Sequence, residues 1–286
     1  MSALSYVDSV VLGVIEGLTE FLPVSSTGHL TIGEKILGLK VDAPAVTAYT
    51  AIIQLGAIAA TLIYFAKDIM RFLGALFGGI RDADKRSDPD YGLAWAVIVG
   101  SIPVALVGFA LKDFISGSLR NLWVVAAALI IWGFAMLRAE TIYAARVRRG
   151  DVRGEGTVTL RDGIMIGLVQ CLSLVPGVSR SGATISAGIV RGIDRVTATR
   201  LSFFLAIPAL TAAGLYEALK ERHNLGDLGV GPMALGIVIA FAVAYASIAW
   251  LLKFVSTNTL RPFVWYRFAL GAGLLIALAA GVSAST

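Results

Sequence analysis

EGLTEFLPVSSTGH, residues 16–29, is the stretch whose reading decides the fold, and QCLSLVPGVSRSGAT, residues 170–184, is its echo. Both place acids, hydroxyls, Gly and Pro inside a chain that is 57% hydrophobic and 15% charged, with a mean hydropathy of +0.81. Soluble domains carry about 25% charged residues. The composition therefore describes a polytopic membrane protein, in which an ionisable residue at depth marks a functional site by default. Around the two stretches lie six apolar runs at 44–66, 91–111, 121–139, 198–219, 233–254 and 263–282. A bilayer crossing needs about 20 such residues. The two stretches themselves interrupt the apolar segments 5–39 and 158–190. Each segment is too broken to cross twice, so each reads as a re-entrant helix hairpin whose irregular turn lines a cavity.

Shifting the sequence by 154 lays Glu16 on Gln170, Thr19 on Ser173, Val24 on Val178, Ser25 on Ser179, Thr27 on Ser181 and Gly28 on Gly182. The matches concentrate at the polar breaks, where apolar composition alone does not create them. The expected fold is therefore all-α, with six transmembrane helices and two re-entrant hairpins in an inverted-topology repeat. It is a single integral membrane domain, with halves at about 1–140 and 157–286. Three spans per half is an odd number, so the second half enters from the opposite side. Broken helices of such repeats meet near the midplane and build the ligand site there.

The net charge of +5 is foremost a topology signal. Basic residues crowd 67–90 (Lys67, Arg71, Arg81, Lys85, Arg86) and 138–161 (Arg138, Arg146, Arg148, Arg149, Arg153, Arg161). Arg191, Arg195 and Arg200 flank the fourth span, and Lys253, Arg261 and Arg267 the sixth. The opposite loops hold only Lys35, Lys40, Lys112, Arg120, Lys220 and Arg222. The crowded side is expected to be cytoplasmic, with both termini and the mouth of the first hairpin outside. Short basic loops between spans are not a nucleic-acid surface. The single cysteine, Cys171, permits no internal disulfide and no cysteine metal site. The N-terminus lacks a basic region before its apolar run and reads as retained, not as a cleaved signal.

Glu16 and Glu20 stand four apart, on one helical face. Two carboxylates in low dielectric must share a proton or bind a cation. Mg²⁺ or Ca²⁺ suits such oxygen ligands, with phosphate oxygens completing the shell. The turn Ser25-Ser26-Thr27-Gly28-His29 offers hydroxyls, N–H groups and a helix N-terminus to an anion. His29 is a candidate acid, base or nucleophile, whereas His223 reads as a solvated loop residue. Arg180 adds a permanent cation that can grip phosphate through two donors or pair with Glu16 or Glu20. Gly177, Ser179, Ser181 and Thr184 surround it with further contacts. Acids, an imidazole, a guanidinium and hydroxyls converging at depth suit binding and cleaving phosphate. A lipid-lined groove implies that the phosphate is carried by a lipid.

These motifs closely resemble the undecaprenyl pyrophosphate phosphatase family, also called the bacitracin-resistance family. That family carries Glu-x-x-x-Glu followed by an SSTGH turn, then PG-x-SRS-x-x-T in the second half. The likeness covers the whole chain and departs at no motif position. It implies hydrolysis of undecaprenyl diphosphate to undecaprenyl phosphate and inorganic phosphate, recycling the carrier for peptidoglycan and other envelope polymers. It also implies divalent-metal dependence, a bacterial inner-membrane location and an outward-facing site, and leaves a homodimer open. By position, Glu16 and Glu20 would bind metal or move protons, and Ser26 or His29 would be the nucleophile. Ser26 is the favoured of the two, activated by a neighbouring Glu or by His29, with a metal-bound water as a third route. Arg180 with Ser179, Ser181 and Thr184 would hold the diphosphate. A type-2 phosphatidic acid phosphatase is excluded by spacing, since Lys253 and Arg261 enclose seven residues and Ser186 stands where that class has His. From another functional class, a polyprenyl-phosphate transporter is the alternative, because inverted repeats with broken helices are a transporter signature.

Overall fold

The computed structural model describes residues 5–41, 43–116, 119, 121–220 and 229–281. His223 and Arg222, read above as loop residues, lie outside them. The described residues form α1 (Tyr6–Thr19), α2 (Ser26–Ile36), α3 (Pro44–Tyr64), α4 (Ala66–Arg81), α5 (Pro89–Ala110) and α6 (Lys112–Ser116). The chain continues through α7 (Leu122–Arg148), α8 (Leu160–Gln170), α9 (Arg180–Val190), α10 (Arg195–Lys220), α11 (Val230–Val255) and α12 (Arg261–Ala279). Six of these, α3, α5, α7, α10, α11 and α12, are long and apolar enough to cross a membrane. The chain is a multi-pass membrane protein.

The offset of 154 holds to the residue at both hairpins: α2 and α9 each run 11 residues, from Ser26 and from Arg180. Their partners α1 and α8 both begin on a capping box, Ser5 with Asp8 and Thr159 with Asp162. Such boxes satisfy amides that the first helical turn leaves unpaired. Packing repeats as well, crosswise. Helix α1 of the first half lies against α11 of the second, and α8 of the second against α5 of the first. Helix α3 meets its counterpart α10, and α7 meets α12. This is the pattern that a two-fold axis between the halves produces. Small residues bring the hairpins close: Gly13 and Gly17 meet the carbonyls of Gly236 and Ala240, and Gly163 and Gly167 meet Ala96 and Gly100. Membrane helices associate through such backbone approach because lipid supplies no hydrophobic drive between them.

Two features depart from the expectation. The charged stretch after Ala66 reads as loop, yet it forms α4, which buries Phe72 and Gly79 and exposes Met70, Leu73, Phe77 and Ile80. Among the described residues it has no counterpart in the second half. The third span also runs on as helix to Arg148, past the expected end at 139, because its last turns are held at the ion-paired face. There Arg195 pairs with Glu140 at 2.6 Å, and Arg200 bridges Asp68 and Glu155 at 2.8 and 2.7 Å. Arg195 and Arg200 are thus paired within the fold, and the net charge of +5 rests on the basic residues left over.

The second hairpin is locked at its mouth by Asp162. Its wholly buried carboxylate accepts from Arg153 at 2.6 and 2.7 Å, from Arg191, and from the Thr159 amide and hydroxyl. Burial alone raises its pKa, but the bonds from Arg153, Thr159 and Arg191 outweigh it and hold the carboxyl below the usual range. Asp162→Asn is expected to cost about 3–5 kcal/mol, the penalty for opening a buried ion pair. The depressed folded-state pKa means that this stabilisation is present above the unfolded aspartate pKa of about 3.9 and is lost as pH falls below it. Thermal unfolding in detergent across pH 3–7 reads both effects, and the variant should lose the acid limb that Asp162 contributes.

Candidate active site

Both hairpin turns end on a serine in the left-handed region, Ser25 at φ 79° and Ser179 at φ 75°. A side chain there costs about 1–3 kcal/mol and persists only where its surroundings impose it. The surroundings here are the opposite hairpin. Ser25 Oγ accepts from the Gly28 amide of its own helix at 3.4 Å and from the Gly177 amide of the second hairpin at 3.2 Å. Ser181 returns the contact, donating to the Leu22 carbonyl at 2.9 Å. Gly177, at φ 101°, has its Cα hydrogen facing the Val125 carbonyl, where a Cβ would come within 2.6 Å, so no other residue fits.

The serine turns launch α2 and α9 with Ser26 and Arg180 at equivalent positions, and both reach the same carboxylate. Ser26 Oγ donates to Glu20 Oε2 at 2.6 Å, and Arg180 Nη2 donates to Glu20 Oε1 at 3.3 Å. Glu20 is 6% exposed. Helix α10 seats the assembly from below: Ser202 accepts from Arg180 Nη1 at 3.0 Å, and Phe203 meets Phe21 edge-on at 5.3 Å. Arg180 Nε and Glu16 Oε1 are buried and have no partner among the described residues. A donor and an acceptor at depth, both unsatisfied, are what a polar ligand would complete.

His29 is hydrogen-bonded to groups other than Ser26. Its Nδ1 lies 2.7 Å from the Ser25 carbonyl and its Nε2 2.6 Å from Tyr266 Oη. A carbonyl only accepts, so the neutral ring carries its proton on Nδ1 and takes the tyrosine hydroxyl at Nε2. Of the two bases expected for Ser26, the structure therefore places Glu20 on its hydroxyl. Thr27 is exposed at the start of α2, and Gly28 packs against Val125. Ser179 caps α9 through the Gly182 amide at 3.2 Å, and Thr184 donates to Ser202 Oγ at 2.7 Å. The Ser179 hydroxyl thus shapes the turn, and that of Thr184 ties α9 to α10.

Two residues on α12 escape a reading of the sequence. Tyr266 holds His29, and Arg267 is wholly buried, donating to Pro23, Ala128, Leu129 and Gly177 carbonyls. Arg267, counted above among the topology charges, sits inside the fold instead of in a loop. The signal available was its place several residues inside an apolar run. Among the described residues, no group of three or more His, Cys, Asp or Glu stands ready for a metal. Glu16 and Glu20 share a face, and the unpaired Glu16 Oε1 fits an oxygen-preferring cation whose other ligands come from phosphate and water.

Fold and site together define a polytopic membrane protein with a hydroxyl, carboxylate and guanidinium centre built between two inverted hairpins. The family model described as bacitracin resistance protein BacA matches residues 9–273. The chain belongs to that family. It is 52% identical over 285 residues to an undecaprenyl-diphosphatase 3 of Frankia casuarinae, covering 99% of this chain and all of that one. It is 51% identical over 276 residues to an undecaprenyl-diphosphatase of Acidothermus cellulolyticus, covering 96% and 98%. It is 52% identical over 283 residues to an undecaprenyl-diphosphatase 1 of Streptomyces coelicolor, covering 99% of each.

Proposed function

We propose that this protein hydrolyses undecaprenyl diphosphate to undecaprenyl phosphate and inorganic phosphate, at a site open to the outer face of the bacterial inner membrane. The observation that carries the reading is the 2.6 Å bond from Ser26 Oγ to Glu20 Oε2 beside Arg180. A serine is a weak nucleophile until a base takes its proton. Glu20 is that base. Ser26 Oγ attacks the terminal phosphorus, its proton passes to Glu20, and the bond to the bridging oxygen breaks. Undecaprenyl phosphate leaves with that oxygen. Water then cleaves the phosphoserine, and inorganic phosphate departs. The guanidinium of Arg180 and the N-termini of α2 and α9 stabilise the charge that spreads over the phosphoryl oxygens. Glu16 and Glu20 would hold a divalent cation, Mg²⁺ or Ca²⁺, which when bound polarises the phosphate oxygens. Tyr266 keeps His29 oriented at the side of the turn. Outward opening is supported by the basic loops opposite the first hairpin's mouth, and the lipid chain by the names of the relatives.

The test is phosphate release from undecaprenyl diphosphate by purified protein in Mg²⁺, Ca²⁺ and EDTA, alongside Ser26→Ala. Release by wild type in metal, falling to background in EDTA and in the variant, is the expected result. No release in any condition overturns the proposal, and undiminished release by Ser26→Ala overturns the nucleophile.

A further inference from the structure

Among the described residues, Arg267 is the largest of the wholly buried side chains. Nη2 donates to Gly177 O at 2.7 Å and to Ala128 O at 3.4 Å, Nη1 to Pro23 O at 3.3 Å and Nε to Leu129 O at 3.3 Å. None of these acceptors is a carboxylate. A guanidinium at depth ordinarily has an anionic partner, because desolvating the charge is costly.

The acceptors have a pattern. Pro23 and Gly177 are equivalent residues of the two hairpin turns under the offset of 154, each two residues before its left-handed serine. One side chain therefore grips both turns at the same point. Helices α7 and α12 carry their own offset: Gly133 lies under Phe268 and Gly271 under Ile130, contacts that exchange at a shift of 138. By that shift the counterpart of Arg267 is Leu129, which is apolar and wholly buried. A guanidinium that reaches equivalent atoms of both halves stands on the two-fold axis, and an axis has room for one.

What lies downstream is the reacting pair. The Gly177 peptide is held at both ends, its carbonyl by Arg267 and its amide by Ser25 Oγ. Ser25 and Ser179 in turn start the helices whose next residues are Ser26 and Arg180. We propose that Arg267 is a positioning residue: from the pseudo-two-fold axis it fixes the two turns at one separation, and with it the gap across which Ser26 and Arg180 hold the phosphoryl group. The role rests on the hydrolase reading for its catalytic consequence, though not for its structural one. A misplacement of about 1 Å between reacting groups costs about 10²-fold in rate. Lysine keeps the charge but presents a point donor in place of a planar fork, so it cannot hold both carbonyls.

Arg267→Lys and Arg267→Gln in the full-length protein test this by steady-state kinetics and by amide hydrogen exchange. Arg267→Lys should lower kcat by about 30- to 100-fold while KM stays within about threefold, since the phosphate contacts remain and only their alignment is lost. Exchange should rise about tenfold or more in both turns, residues 22–26 and 176–180, with α3 and α10 unchanged. Should Arg267→Gln fail to fold, Arg267→Lys carries the test alone. Wild-type kcat in Arg267→Lys, loosening of one turn only, or collapse of the fold in both variants overturns the assignment. Should wild type release no phosphate, the hydrolase reading fails, and exchange at the two turns still decides whether Arg267 couples them.

Discussion

Glu20→Gln lowers kcat by about 10³-fold and leaves substrate bound, because one carboxylate serves as both base and brace. Its Oε2 takes the Ser26 hydroxyl at 2.6 Å and its Oε1 takes Arg180 at 3.3 Å. An amide of the same shape retains one acceptor oxygen and can still meet Arg180. It cannot accept a proton from Ser26. General-base assistance contributes about 10²–10⁴-fold, and a serine without its base stays protonated. The ground-state contacts to phosphate, from Arg180 and the two helix N-termini, remain, so KM should move little. The double variant Ser26→Ala/Glu20→Gln should be no slower than Ser26→Ala alone, since residues acting as one unit lose their joint contribution once. Steady-state phosphate release and a single-turnover experiment on the three proteins check this. A rate for Glu20→Gln within threefold of wild type removes Glu20 from proton transfer. A double variant slower by the product of the two losses separates Glu20 from Ser26.

Much of this arrangement is legible without coordinates, for reasons specific to membrane chains. A polar break in an apolar run is conspicuous, so the serine turns and the acids stand out. A repeat is read through the same breaks, which is why the offset of 154 predicts the start of α9 from that of α2. What the pattern does not carry is which polar atom faces which. Ser25 and Ser179 read as phosphate donors; that their oxygens also accept cap bonds at positive φ, a backbone state that serine rarely adopts, is something sequence does not announce. Helix α4 escapes because its charges match a loop by composition, while its apolar face appears only on a helical wheel. Tyr266 and Arg267 escape for the opposite reason. They sit near the start of a span, where aromatic and basic residues ordinarily anchor the membrane interface. Only the crossing of α7 and α12 beneath both turns makes them part of the site.

Arg180→Ala costs about 10³-fold or more in kcat/KM and at the same time strengthens the response to divalent cation. Arg180 grips Glu20 and the Ser202 carbonyl while keeping Nε unpaired. A charge-assisted contact is worth about 1.5–3 kcal/mol, and an arginine that meets transition-state charge in phosphoryl transfer about 10³–10⁵-fold. The loss should appear in kcat and KM together, because the guanidinium meets phosphate before and during reaction. Its removal also strands the buried Glu20 carboxylate, at about 3–5 kcal/mol of stability. A cation held by Glu16 and Glu20 competes with Arg180 for the same oxygens. Without Arg180 that competition ends, so thermal protection by Mg²⁺ or Ca²⁺ should set in at lower concentration than in wild type. Arg180→Lys should fall between the two, since lysine offers one point of charge where the planar guanidinium offers a fork. Unfolding curves at graded metal, beside kinetics for the three proteins, separate the roles. A slower variant with unchanged metal protection keeps Arg180 on the phosphate and takes the metal off Glu20. Unchanged kinetics with stronger protection makes Arg180 a counter-ion alone.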